Sequence, residues 1–310
     1  MGDARVGRAL QPATPTFLVI GAAKCGTTAL HHYLRQHPEI CVPQRKEPSY
    51  FAAEFLLRDG SDGRSHPETG VWPRYWVTSW DAYLHLFDHC GGKAVMGEVS
   101  PAYMSVPGTA EIIAEKIPDV RLVALLRNPV DRAYSHWLMK DRVTRAPSSL
   151  PDFLDEHERR LRQGMPTILN QGLYYRALLP YFRLFGRSSI HVMLSEDLST
   201  DPANSLSQLF AFLGASPDHR PDPPRFDNSG GVARNTLLRT VLHAERKLAY
   251  ALPGGVPAAM KSLNSRLLTT RRAMPPLAKE HRHRLQLLYQ DDVTALQQLI
   301  GSDLGGWLPS

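Results

Sequence analysis

At 310 residues the chain is long enough for one large α/β domain, or for a core domain with a smaller appendage. A hydrophobic fraction of 43% with 21% charged residues is ordinary for a globular protein. No stretch reaches the roughly 18 uninterrupted apolar residues of a membrane-spanning helix, so a soluble chain is expected. The net charge of +6 is unevenly spread, because residues 234–284 carry eleven Lys or Arg against Glu245 and Glu280. Such a segment suits nucleic acid, a membrane surface or a polyanionic substrate, although a solvated helical face is the commoner outcome.

The opening MGDARVGRALQPATP lacks the apolar centre of a signal peptide and carries Val6 where a myristoylation signal needs Ser or Thr. Residues 1–14 therefore read as a disordered tail. Three cysteines occur, Cys25, Cys41 and Cys90, with no CxxC pair and no histidines at zinc spacing. Neither a disulfide framework nor a structural metal is expected from them, and a reducing cytoplasm fits.

The run TFLVIG, Thr16 to Gly21, is short, apolar and branched, and reads as a buried strand. A helix should follow, capped by Thr27 or Thr28, with Ala29, Leu30, Tyr33 and Leu34 on one face before His37-Pro38. Further strands are expected at Ala94 to Glu98, Val120 to Leu126 and Ile190 to Leu194. Helical patterns fall at Thr109 to Lys116, Arg132 to Arg142, Leu173 to Phe185 and Asn204 to Leu213. This alternation predicts an α/β fold with a P-loop-like, mainly parallel sheet flanked by helices. The Pro, Asp, Asn and Gly residues of Ser216 to Gly231 mark a boundary. They divide a core at 15–227 from a basic helical extension at 228–310, packed on the core and available to cover its ligand site. Leu285, Leu288, Tyr289, Leu296, Leu299 and Ile300 give that extension an apolar face. No internal repeat is present.

GAAKCGTT, Gly21 to Thr28, lies between the first strand and the first helix, where backbone N–H groups and a helix N-terminus can bind phosphate. The spacing nearly matches the nucleoside triphosphate loop, but Lys24 stands inside the loop and Thr27 where that motif has its lysine. A Mg-nucleotide site also needs a carboxylate at the end of another apolar strand. VRLVALL ends instead in Arg127, a fork suited to a phosphate monoester. These features favour a nucleotide carrying an extra phosphate, handled without metal. Two rival readings are a Mg-ATP-dependent small-molecule kinase, and a nucleic-acid-binding protein acting through residues 234–284.

The loop GAAKCGTTAL resembles the 5'-phosphosulfate loop of PAPS-dependent sulfotransferases, and LLRNPVDRAYSHW, Leu125 to Trp137, resembles their 3'-phosphate segment. KEPSYF, Lys46 to Phe51, is similar to a motif of heparan sulfate and related carbohydrate sulfotransferases whose glutamate is the general base. GEVSPAYM, Gly97 to Met104, and GLYYRALLPYF, Gly172 to Phe182, also look like family segments. Many relatives of the glycosaminoglycan enzymes have a lysine where this chain has Val99, and a cysteine-bracketed C-terminal loop that is missing here. Both differences bear on the acceptor and leave donor binding intact.

The resemblance implies a sulfuryl transfer from PAPS to a hydroxyl or amine of a carbohydrate or small-molecule acceptor, releasing PAP and needing no metal. Glu47 takes the general-base position and Lys24 neutralises the bridging oxygen. The loop residues Lys24, Cys25, Gly26, Thr27, Thr28 and Ala29 hold the phosphosulfate. Arg127 and Ser135 hold the 3'-phosphate, Tyr174 lies near the nucleotide, and Arg234 closes over the same phosphate. No nucleic-acid partner is implied, and oligomeric state is not legible. Each residue also has a plainer reading. Glu47 could pair with Lys46 or Arg45, Arg127 with Asp131, and Trp72, Trp76 and Trp80 could be core and not an acceptor cleft.

Overall fold

β1 (Phe17–Gly21) is buried along its whole length, as a central strand covered on both faces must be. The computed structural model describes residues 14–59, 76–143, 149–223, 232–233, 269–270 and 276–309. β1 is followed by α1 (Thr27–Gln36), β2 (Ile40–Cys41), α2 (Tyr50–Arg58), α3 (Trp80–Leu84) and β3 (Val95–Val99). Then come α4 (Thr109–Lys116), β4 (Arg121–Leu126), α5 (Pro129–Val143), α6 (Leu150–Arg162) and α7 (Tyr174–Phe185). β5 (Ile190–Leu194), α8 (Ser195–Thr200), α9 (Pro202–Leu213) and a C-terminal helix, Lys279–Ile300, complete the main elements. Val232–Ala233 and Thr269–Thr270 form a short antiparallel pair.

The five main strands form one sheet in the order β2-β3-β1-β4-β5, and every pairing is parallel. Leu18 lies between Glu98 of β3 and Leu122 of β4. With β1 central, the turns after β1, β2 and β3 leave the same, carboxyl edge of the sheet, where open α/β sheets place their ligands. The parallel α/β fold expected from the strand and helix alternation is thus the fold observed.

The structure moves several boundaries. Thr27 and Thr28 do not cap α1, because they are its first residues; the N-cap is Gly26, in the left-handed region at φ 96° and without a side chain to offer. α5 begins at Pro129 and not at Arg132: proline suits the first helical position, and Asn128 Oδ1 accepts the Val130 N–H at 3.0 Å. α9 likewise starts at Pro202, with the Asp201 side chain accepting from Asn204.

A disulfide joins Cys41 to Cys90, against the expectation of no disulfide. β2 brings Cys41 to the end of the short helical turn His85–Cys90, a proximity that two cysteines 49 positions apart do not announce in the sequence. Cys25 remains a buried thiol. No described helix is long and apolar enough to cross a membrane.

The chain forms two compact units. One takes in the described residues up to 126 together with 178–223, and holds the sheet; the other takes in 127–177 and the described residues beyond 223. In the second, Leu285, Tyr289, Val293, Leu296 and Ile300 of the C-terminal helix are buried, the spacing of a helical stripe. Leu288 and Leu299, expected on that face, are half-buried. Arg132 of α5 is fully buried and donates to the Ile168 carbonyl at 2.5 Å and to Gln171 Oε1 at 3.3 Å.

Candidate active site

The turn after β1 departs from ordinary backbone geometry. Lys24 has φ 71° and Gly26 φ 96°, both left-handed, and the Ala22 N–H donates to the Leu125 carbonyl of β4 at 2.8 Å. Gly26 provides at little cost a conformation that costs an L-residue roughly 1–2 kcal/mol. Gly21 is required for a different reason, since a Cβ there would lie 2.3 Å from Met104 Sδ. The Ser195 hydroxyl donates to the Cys25 carbonyl and ties the loop to the start of α8. The result is a loop running into a helix N-terminus whose N-cap residue, Gly26, has no side chain to cap it, the arrangement in which backbone N–H groups receive an anion. Thr27 is buried, Thr28 exposed, and Ala29 half-buried within that first turn.

Glu47 sits in the connection between β2 and α2 at φ 59°, and Ser49 follows at φ 53°. Lys24, Glu47 and Ser49 are the non-glycine residues with positive φ among the described residues. Strain of this kind, of order 1–3 kcal/mol per residue, persists where surrounding contacts over-determine the backbone. The contacts here are the Glu47 N–H donating to the Val99 carbonyl at 3.1 Å, and the Ser49 N–H donating to Ser100 Oγ at 3.0 Å.

Lys46 joins the two loops. Its ammonium donates to Glu47 Oε1 at 2.7 Å and to Thr28 Oγ1 at 2.8 Å. The Glu47–Lys46 pair weighed as the plainer reading is therefore present, with the two side chains 38% and 22% exposed. An exposed neighbouring pair contributes little stability. Its consequence is geometric: one ammonium holds the carboxylate beside the first turn of α1.

Behind this turn lies Glu98 of β3, 1% exposed. Its carboxyl accepts from Tyr103 OH at 2.5 Å, Ser100 Oγ at 2.7 Å and Tyr83 OH at 3.5 Å. Burial pushes its pKa up to about 7, against the pull of the three hydroxyls. The family-like segment Gly97 to Met104 contains this residue without marking it as functional. A lone glutamate inside an otherwise apolar strand, VMGEV, was the available signal.

In the second unit, Arg127 is the first residue after β4 and is half-buried, and Ser135 is half-buried within α5. The Tyr174 hydroxyl donates to the Arg127 carbonyl at 2.9 Å. Asp131, considered as a partner of Arg127, instead accepts from Arg282 at 2.6 Å. His136 is buried, with Nδ1 3.5 Å from Arg132 Nη1, a packing environment. The start of α7 at Tyr174 is set by Asp292 of the C-terminal helix, which accepts the Tyr175 and Arg176 N–H groups at 2.9 and 3.2 Å. Arg234 and Trp72, and most of the basic segment 234–284, lie outside the described residues. Trp80 stacks on Tyr83, with the Lys116 ammonium 5.2 Å from its ring centre.

Residues 14–224 match the model of the sulfotransferase domain, more than half of the chain. The chain belongs to the sulfotransferase family. Human carbohydrate sulfotransferase 15 is 27% identical over 260 residues, spanning 66% of this chain and 44% of that protein. Mouse bifunctional heparan sulfate N-deacetylase/N-sulfotransferase 4 is 24% identical over 309 residues, spanning 95% of this chain and 31% of that protein. The chain therefore spans less than half the length of these curated relatives. A sulfotransferase crystal structure from Alicyclobacillus acidocaldarius superposes with a TM-score of 0.67 at 29% identity, over 95% of this chain and 99% of that one.

Proposed function

We propose that this sulfotransferase moves a sulfuryl group from PAPS to a hydroxyl or amine of a carbohydrate or small-molecule acceptor and releases PAP, with Glu47 as general base. The observation that carries this reading is the Lys46 ammonium, which spans Thr28 of the loop and the Glu47 carboxylate and so sets an acid–base group beside an anion-binding helix terminus. Carbohydrate acceptors are favoured by the named activities of the relatives.

PAPS, when bound, supplies the sulfuryl group and a phosphate leaving group. The first turn of α1 and the N–H groups from Gly26 to Ala29 suit its 5'-phosphosulfate, with the Cys25 N–H turned to the Ala22 carbonyl at 3.3 Å, and the Lys24 ammonium suits the oxygen on which charge gathers. Glu47 accepts the acceptor proton as the new bond to sulfur forms, and the electron pair of the broken S–O bond stays with the phosphate oxygen. Lys46 keeps the Glu47 carboxylate aimed until the acceptor enters. Arg127, aided by Ser135, supplies a charge-assisted fork for the 3'-phosphate, and the Tyr174 bond to its carbonyl steadies the backbone that carries it. Arg234 is assigned to the same phosphate. No residue is assigned to a metal.

Isothermal titration of the chelator-treated protein with PAP, AMP and ATP-Mg tests the donor half. PAP should bind more tightly than AMP, and Arg127→Ala should weaken PAP by about 10-fold to 100-fold, the loss of one charge-assisted contact. Preference for ATP-Mg over PAP would return the kinase reading. Incubation with radiolabelled PAPS and a panel of desulfated glycans and simple alcohols tests the acceptor half.

A further inference from the structure

We propose that Glu98, acting through Ser100, is a positioning residue for the Glu47 carboxylate. The inference rests on the reading of Glu47 as the base and adds how its turn is held.

The turn carrying Glu47 is costly to form. Glu47 and Ser49 both adopt left-handed backbone, at φ 59° and 53°, and neither is a glycine. Two hydrogen bonds from its backbone reach the end of β3 and the residue after it: Glu47 N–H to the Val99 carbonyl, and Ser49 N–H to the Ser100 hydroxyl oxygen. The first acceptor is a carbonyl and can only accept. The second is a hydroxyl, which has one hydrogen and must place it somewhere. Ser100 is fully buried, and its hydrogen goes to Glu98 Oε2 at 2.7 Å, so its lone pairs face the Ser49 N–H. Glu98 thereby sets the direction of the Ser100 hydroxyl, and the hydroxyl sets the turn.

Glu98 is itself held from two further directions. Tyr103 and Tyr83 donate to its other oxygen, at 2.5 and 3.5 Å, and both phenols are fully buried. Tyr83 stacks on Tyr50, the first residue of α2, with ring centres 5.0 Å apart. Two tyrosines and a serine give the carboxyl three hydroxyl donors and, among the described residues, no cation, an expensive burial for an acid with a purely packing role. A glutamine could not serve equally. Either its NH2 meets the Ser100 hydroxyl, which must then turn its hydrogen elsewhere, or it meets the tyrosines, which lose their acceptor.

The test measures PAPS turnover to PAP with water as acceptor, together with PAP affinity, in Glu98→Gln, Ser100→Ala and Glu47→Gln, singly and in pairs. Glu98→Gln and Ser100→Ala should each slow turnover by on the order of 10-fold to 100-fold, as misplacement of a reacting group does, with PAP affinity within about twofold of wild type. Neither should slow the enzyme further once Glu47 is Gln, because both act through Glu47. Effects that multiply fully in the Glu47→Gln background, or wild-type turnover in both single variants, would overturn the proposal. Wild-type turnover in Glu47→Gln would instead sink the base assignment. Amide exchange provides a readout independent of turnover. Ser100→Ala should speed exchange in residues 46–49 while α1 and α9 keep their protection, and unchanged exchange there would also overturn it.

Discussion

Lys24 and Glu47 share a property that their residue types do not advertise: both sit in left-handed backbone. A surface lysine or glutamate gains nothing from such strain, whereas a side chain that must meet a reacting atom gains direction. Glu47→Gln should therefore lower kcat by about 100-fold or more while leaving PAP affinity near wild type, the loss of a proton acceptor and not of a binding contact. Radiolabelled PAPS turnover alongside titration calorimetry separates the two. Glu98 makes a stability prediction of its own. Its pKa is raised from an ordinary 4.5 to about 7 by burial, so between these values the folded chain binds more protons than the unfolded one. The contribution is fully present below about pH 4.5 and is lost as pH rises through about 7, on the order of 3 kcal/mol in all. Urea unfolding midpoints at pH 5 and pH 8 should differ more in wild type than in Glu98→Gln. An equal difference in both would show that Glu98 does not titrate in this range.

At the scale of elements, apolar runs with turn signals were readable and capping contacts from distant chain were not. β5 and α4 have the ends their residue patterns suggest, Ile190–Leu194 and Thr109–Lys116. α2 was missed because YFAAEFLLR is too continuously apolar at its start to favour one period, and β2 because two residues carry no period at all. The start of α7 depends on Asp292, a residue of the C-terminal helix. Burial raises the pKa of this carboxyl even as the backbone N–H groups of α7 pull it down. Asp292 lies on the buried stripe of its helix with Leu285, Tyr289 and Leu296, but its spacing does not say which distant backbone groups it caps. Asp292→Ala leaves the part-buried Tyr175 and Arg176 N–H groups at the head of α7 without this acceptor and should cost about 0.5–2 kcal/mol, as loss of a helix cap does. Because Tyr174 begins that helix and bonds to the Arg127 carbonyl, PAP affinity should fall along with the unfolding midpoint. A midpoint shift with unchanged PAP affinity would separate the cap from the nucleotide site.

Over the whole molecule, the order of the strand and helix signals was enough to identify a parallel α/β sheet, since each parallel crossover needs a helix and the apolar strands alternate with helical periods. The same reading failed on covalent structure. Spacing cannot reveal a pair such as Cys41 and Cys90, because their meeting depends on β2 lying beside β3 at the edge of the sheet. The bond changes how stability is shared. It closes a segment of 49 positions that contains Glu47, α2 and α3, and a loop of that size restricts the unfolded chain by about 4 kcal/mol in the chain-entropy model. Protein prepared without reductant should show one thiol reactive after unfolding, Cys25, and treatment with a phosphine reductant should lower Tm and raise the other two. Cys90→Ser should have the lowered Tm from the outset and respond no further to reductant. Three thiols in the untreated protein, or a Tm indifferent to both reduction and Cys90→Ser, would mean that this edge of the sheet is held by packing alone.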